Sequence, residues 1–425
     1  MMRAGSLLLL LVLASCAKSP VRGGADAGSL PHYKVLASIA PGGELTADVT
    51  LTLPPGTFME GDFILGRRFA LQPVETSPRA EVRVEPTDQP LDGLHGIHVR
   101  FDDATAAQAR QVTVRFRYSG PIFANEKQDR LGYTPDAIEM ALELMWLPYV
   151  SELNRRFTVD AELQGIAPDM VVVAQGDVRH EGDRVYVHRS VGDFDFAWVA
   201  VRGLKVVQEP GIEFYARDLA DPLVQVLRKH SLAAAHFHQQ WFGPLPGGPI
   251  RLAVVPRGVG GAYARVGYTI IADGKKPGEP PSELNELSRA ATVAHEFAHA
   301  WWSPADPFSE DYWLAESIAQ YASWRYIEAT FGTEKLYTDL QKAREAIKDA
   351  GPVLGHGRAS RLVLYTKTPL LLKDLEQQIG RERLDVVLVK LSRHPPRKTQ
   401  EFLDALRGVA GDQAAADFEA ALRAG

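Results

Sequence analysis

His295 and His299 stand four apart in the run ATVAHEFAHAWW (residues 291–302), and Glu296 follows the first of them. On a helix that spacing puts both imidazoles on one face, where both can reach one metal ion. Glu296 then lies beside the ion, placed to take a proton from water. The helical pattern breaks at Ser303-Pro304 and a second begins near Trp313-Leu314-Ala315-Glu316. Sixteen residues separate His299 from Glu316. A carboxylate on a neighbouring helix is the third ligand two histidines need, leaving a fourth position for water. Alone, Glu316 would read as a solvated acid stabilised by its helix dipole; the upstream pair gives it a role. His236 and His238, two apart, point to different helix faces and read as packing residues. His356 reads as a loop histidine. Gly258-Val-Gly260-Gly-Ala-Tyr263 lacks the third glycine of a dinucleotide fingerprint, and no GxSxG elbow or Walker loop occurs.

The elements that must hold these residues fall into two halves. From Tyr33 to about Gln208 the apolar period is mostly two. Leu45, Ala47, Val49, Leu51 and Leu53 alternate with polar neighbours, as do Val112, Val114, Phe116 and Tyr118. Phe157–Leu163, Val185–Val187 and Phe194–Val201 add further strands. Such alternation, punctuated by Gly and Pro, predicts half-buried antiparallel strands in a sandwich or curved sheet. Residues 133–150 read as a helical insert. Beyond about 210 the period becomes helical, starting with Asp221-Pro222 and stopping at Gly243-Pro244. Ile250–Val255 is a short strand. Helical segments follow at about 283–302, 312–331, 334–349, 369–379, 382–392 and 399–407. The expected fold is α+β and multidomain: residues 33–208 β-rich and sandwich-like, 209–425 mainly helical.

The 425 residues are ordinary in composition, with 45% hydrophobic and 24% charged. Lys+Arg 47 against Asp+Glu 53 leaves a net charge of −6, which offers no basic footprint for nucleic acid. One cysteine excludes an intrachain disulfide. That cysteine, Cys16, follows Leu13-Ala14-Ser15 and an apolar run from Leu7, with Arg3 ahead of it. The run is too short to span a bilayer and reads as a secretory signal, residues 1–15. Leu13-Ala-Ser-Cys16 resembles a bacterial lipobox, which implies lipidation of Cys16 and a membrane anchor. Residues 16–32, small and polar with Gly and Pro, read as a tether. Ala17 is not the aspartate of inner-membrane retention, so the expected location is extracytoplasmic, on the outer membrane facing the periplasm.

The His, His, Glu set is that of gluzincin metalloproteases, and the chain resembles the M1 metallopeptidases of the membrane alanine aminopeptidase type. HEFAHAWW parallels that family's HExxH and aromatic pair. Tyr312-Trp-Leu-Ala-Glu-Ser-Ile-Ala-Gln-Tyr321 parallels its WLNEGFA helix. His238-Gln-Gln-Trp-Phe-Gly-Pro-Leu-Pro246 is similar to its aromatic-Gly-x-x-Pro segment, and Tyr365-Thr-Lys367 to its Tyr-x-Lys-Gly motif. The resemblance spans roughly residues 33–425 and implies a thermolysin-like catalytic domain. It implies one Zn²⁺ on His295, His299 and Glu316, with Glu296 as base and Tyr365 as oxyanion donor. Lys367 reads as a solvated lysine.

Three departures shape what the resemblance implies. The spacer before Glu316 is two residues shorter than the family's, a change that falls in a loop. Gly260-Gly261-Ala262-Tyr263-Ala264 stands where the family has Gly-x-Met-Glu-Asn, whose edge strand binds substrate and whose glutamate holds its free amine. Tyr263 in the Glu position cannot pair with an ammonium as a carboxylate does. The carboxy-terminal helical domain of long members is absent, which implies an open cleft, and Thr368 replaces the usual Gly. The expected function is zinc-dependent hydrolysis of extracytoplasmic peptides, with Gly260 to Tyr263 lining the substrate and without ordinary aminopeptidase specificity. A protein of another class, a non-catalytic peptide-binding or assembly lipoprotein keeping its zinc site, is the competing expectation.

Overall fold

The structure is a computed structural model. It describes residues 30–54, 60–90, 93–102, 111–123, 131–153, 155–275, 285–303, 305–355 and 357–425. The expected signal, Cys16, nearly all of the tether and His356 lie outside the described residues.

The period-two half folds as its pattern dictates. His32–Ala40 buries Tyr33, Val35, Ala37 and Ile39, and Glu44–Leu53 buries its alternate set from Leu45 to Leu53. His32–Ala40 pairs antiparallel with Glu44–Leu53 and parallel with Phe157–Gln164. Val112–Pro121 extends the same sheet on the other side. A second sheet, carrying Glu60–Gly66 and Leu94–Phe101, packs on its apolar face. Phe63 of one sheet meets Phe116 of the other edge-on, with centroids 5.2 Å apart. This is the aligned sandwich that alternating strands require.

Residues 133–150 are not a helix. Gly132–Thr134 and Ala137–Met140 form a hairpin, Ala137–Met140 pairs with Trp198–Arg202, and a 3₁₀ turn covers Leu142–Leu144. From Ile138 to Leu147 every residue but Glu143 is buried, around a Trp146 that touches Phe196 and Trp198. An apolar run of this kind has no period to separate a buried strand from a helix.

In the second half, a five-stranded sheet runs in the spatial order Lys205–Glu209, Ile212–Ala216, Ile250–Val255, Tyr268–Ala272, Ala262–Arg265. Ala262–Arg265 is its edge. The helices are α1 Pro222–Phe242, α2 Glu286–Ala298, α3 Trp313–Phe331, α4 Thr333–Ala346, α5 Thr368–Ile379, α6 Arg381–Ser392, α7 Thr399–Ala410 and α8 Asp412–Arg423. The last was not expected from sequence. Side chains start the first two: Asp221 accepts from the Leu223 amide at 2.9 Å, and Asn285 from that of Ser288 at 3.0 Å. Gly243 and Gly332 end α1 and α3 with positive φ. One apolar cluster joins the sheet to α1, α2 and the end of α3, and a second joins α3 to α5–α8. α3 therefore lies between two cores.

The halves meet through a buried ion pair. Arg265, at the end of the edge strand, donates from Nε to Asp195 at 2.8 Å and from Nη2 to Glu143 at 3.0 Å. Asp195 is fully buried and also accepts from the Tyr149 hydroxyl and the Leu142 amide. Arg265→Met would remove the guanidinium bonded to that carboxylate and leave only the Arg189 charge near it, a loss of up to about 3–5 kcal/mol. Urea unfolding is expected to show it, and Asp195→Asn in the same background is expected to recover a part of it. An additive double variant would mean the pair carries no coupling.

Candidate active site

α2 carries His295 and Glu296 and ends at His299. Two bonds from neighbouring helices fix its carboxy-terminal turns. His238 of α1 reaches the Ala294 carbonyl at 2.8 Å, and Ser323 of α3 donates to that of Ala291 at 2.8 Å. Past the helix end, Trp301 and Trp302 are buried against Phe242. His299 Nδ1 donates to the Trp302 carbonyl at 3.1 Å. The tautomer is set by that bond, so the lone pair lies on Nε2.

The three expected ligands converge. Nε2 of His299 lies 3.2 Å from Nε2 of His295, and Glu316 Oε2 lies 3.3 Å and 3.8 Å from the two nitrogens. Donors about 2.1 Å from one tetrahedral ion stand about 3.4 Å from one another, so the observed triangle has the size such an ion demands. Glu316 Oε2 is buried and makes no well-aligned hydrogen bond. Three acceptors facing one another in a dry site repel unless a cation lies between them. The donor set, two nitrogens and a carboxylate oxygen, is one that suits zinc.

The electrostatics agree. Burial would raise the Glu316 carboxyl, but the charge of His299 and the hydrogen bond and charge of His295 outweigh it and hold it well below the usual carboxylate range. Burial pushes His299 down to about 4. His295 is moved up despite its burial, by the hydrogen bond to Glu316 and the charges of Glu296 and Glu316. The site draws positive charge between these groups. Glu296 is pushed up to about 7, chiefly by burial, with Glu316 adding to the effect and His295 opposing it. That is the range in which a carboxylate both takes and returns a proton at neutral pH.

Tyr365 lies on a π-helical turn, Val363–Lys367, ahead of α5. Pro369 has no N–H to offer the Tyr365 carbonyl, so the ordinary helical bond cannot form there. Thr368 Oγ1 donates to the Val363 carbonyl at 3.0 Å instead. Ser317 of α3 ties the turn down by donating to Leu364 at 2.7 Å. The Tyr365 ring stacks on His295 with centroids 5.4 Å apart. Burial and the Glu316 carboxylate together keep its phenol protonated. Lys367 is not solvated. It is 7% exposed, and its Nζ donates to the carbonyls of Ala350, Gly351 and Ala424. Tyr312 was missed in the sequence. It lies one helical turn before Glu316, and its hydroxyl, raised by burial, also faces that carboxylate. The i, i+4 relation to Glu316 was the available signal.

Gly260, Gly261, Ala262 and Tyr263 lie at the sheet edge and line a cavity of about 280 Å³ with Leu131, Glu143, Arg257 and Val259. Ala262 packs toward the α2 side. The Tyr263 ring packs toward the core of the first half, its hydroxyl buried. A carboxylate from the first half, Glu139, does reach this strand: it is buried 3.5 Å from Arg257 and is pushed up to about 7 by that burial.

No protein-family model matches the chain, and no curated protein matches it. Solved structures do. The M1 zinc metallopeptidase from Deinococcus radiodurans superposes with a TM-score of 0.67 at 16% identity, over 93% of this chain and 94% of that one. A mutant of that peptidase bound to a Tyr-Ser-Ala substrate gives 0.66 at 16% identity, over the same 93% and 94%. Leukotriene A4 hydrolase from Saccharomyces cerevisiae gives 0.70 at 16% identity, over 94% of this chain and 69% of that one. The chain therefore has the two-part fold of the M1 zinc metallopeptidases, a β-rich first region followed by a thermolysin-like helical one.

If the three side chains bind one divalent cation, elemental analysis finds one ion per chain. His299→Ala or Glu316→Ala is expected to weaken binding at least 100-fold by competition with a chelator, since each leaves two protein ligands where a catalytic site has three. Full retention of metal in both variants would exclude this site.

Proposed function

We propose that the chain is a zinc metallopeptidase of the M1 kind that hydrolyses peptide bonds. The observation that carries this reading is the buried triangle of His295, His299 and Glu316 with Glu296 beside it, on an M1 fold. Zinc held by these three residues would supply a Lewis acid for the scissile carbonyl and make water acidic enough to be deprotonated. Glu296 takes the proton as water attacks and passes it to the departing amine. Tyr365, its hydroxyl held protonated, donates to the oxygen that gains negative charge. The edge strand Ala262–Arg265 offers unpaired backbone groups to an extended peptide. The Tyr-Ser-Ala complex of the Deinococcus peptidase supports a peptide as ligand.

The reaction we propose does not depend on a free substrate amine. Tyr263 replaces the acidic anchor, and Glu139 is already matched to Arg257. A fluorogenic aminoacyl amide and an end-blocked, internally quenched peptide separate the possibilities: cleavage of the blocked peptide is expected, and cleavage of the amide alone would restore the aminopeptidase reading. Glu296→Gln is expected to keep one zinc per chain and lose at least about 1000-fold in kcat, and Tyr365→Phe to lose about 100-fold. Unchanged turnover in Glu296→Gln would reject the base; no turnover of any peptide by the zinc-loaded parent would favour the non-catalytic, peptide-binding lipoprotein.

We further propose that Cys16 is lipidated and holds the enzyme on the outer membrane, facing the periplasm. The lipobox-like Leu13-Ala-Ser-Cys16 supports this. In detergent phase separation the parent protein is expected to partition with detergent and Cys16→Ser with water; equal partitioning would reject the anchor.

A further inference from the structure

Among the described residues, two arginines beside the metal site have no ionic partner. The Arg361 guanidinium lies over the Tyr365 ring, 4.8 Å from its centroid. That of Arg358 lies over Tyr312 at 5.0 Å and over Phe308 at 5.7 Å. Both arginines are exposed, and neither forms an ion pair or donates a hydrogen bond to a described residue. Arg257, Arg265, Arg325 and Arg381 by contrast each face a carboxylate; what sets Arg358 and Arg361 apart from other arginines without an ion pair is that each stacks on a tyrosine beside the metal site. Glu310, on the turn leading to Tyr312, is engaged instead by the Gly355 amide at 2.6 Å.

A guanidinium stacked on a ring uses its face and leaves its N–H edge free. That edge is the part that binds a carboxylate through two parallel hydrogen bonds. The two rings here are those whose hydroxyls face Glu316, so each guanidinium is one ring away from the metal site. Tyr365 stacks on His295 at 5.4 Å, which puts the Arg361 guanidinium within about 10 Å of that imidazole, the span of about three extended residues. The protein as a whole is negative, at −6, so two free cations at this spot form a local attraction for an anion.

We infer that Arg358 and Arg361 form a carboxylate-binding subsite, and that the preferred peptide carries a carboxylate within about three residues of the bond that is cut. The inference rests on the peptidase reading and adds the substrate class. An acidic side chain and a terminal α-carboxylate offer the same group, and the test separates them.

The test measures binding apart from turnover. Zinc-loaded Glu296→Gln protein is titrated by fluorescence anisotropy with one labelled peptide in matched forms: Glu against Gln within the peptide, and a free against an amidated carboxyl end. At least one acidic form is expected to bind ten-fold or more tightly than its neutral counterpart, and which one names the source of the carboxylate. In the Arg358→Gln/Arg361→Gln double variant the acidic-to-neutral ratio is expected to fall toward one. Equal affinities in the parent, or a preference that survives in the double variant with its melting temperature intact, would overturn the subsite. Turnover by the unmodified chain separates the two readings. Efficient cleavage with no acidic preference rejects the subsite and leaves the peptidase standing. Acid-selective binding without cleavage of any peptide keeps the subsite and rejects the peptidase.

Discussion

Everything at this site depends on holding four ionisable groups, His295, Glu296, His299 and Glu316, out of water and within a few ångströms of one another. Burial of such groups is costly unless each finds a counter-charge. Here the groups serve one another: the imidazoles depress Glu316, Glu316 raises His295, and the whole set favours a cation at its centre. The rest of the fold supplies the stiffness that this proximity needs. α1 and α3 each bond to a carbonyl of α2, and the end of α2 is wedged by Trp301 and Trp302. Dense packing around the helix pair holds the three side chains in one triangle.

The same economy explains why α3 lies between two apolar clusters. One face of it joins α2 and the sheet, and the other joins the carboxy-terminal helices. Glu316 at its start faces the site, while Ser317 one residue later reaches the turn that bears Tyr365. A single helix thus sets the distance from the third ligand to the tyrosine. The Lys367 ammonium, bonded to three carbonyls including that of Ala424, fastens this turn to the last helix. Helices far from the His295, His299 and Glu316 triangle thereby hold Tyr365 in place.

The first half of the chain contributes more than a scaffold. Its Asp195 and Glu143 hold Arg265 at the end of the edge strand, and its Glu139 meets Arg257 beside the glycines that precede that strand. Among the described residues Arg358 and Arg361 have no such partner and lie over Tyr312 and Tyr365.

The sandwich strands and most helices were legible in the sequence because their apolar residues recur at periods of two or 3.6, and that period records which face is buried. The convergence of His295 and His299 was legible because i, i+4 spacing on a helix is geometry already. Where the local signal was ambiguous the structure decided. Ile138 to Leu147 is apolar but for Glu139 and Glu143 and shows no clear period, so only its neighbours made it a hairpin and a turn. Lys367 carries no sign in its spacing that three carbonyls await it, and Tyr312 acquires its place from the turn that aims it at Glu316. Glu139 meets Arg257 across more than a hundred residues, and Arg358 and Arg361 are distinguished by the tyrosine rings on which they stack. Chain-local patterns determine which face of an element is apolar and which side chains share it. Which charges are matched and which are left free depends on contacts between distant segments, and only the packed tertiary structure brings those together.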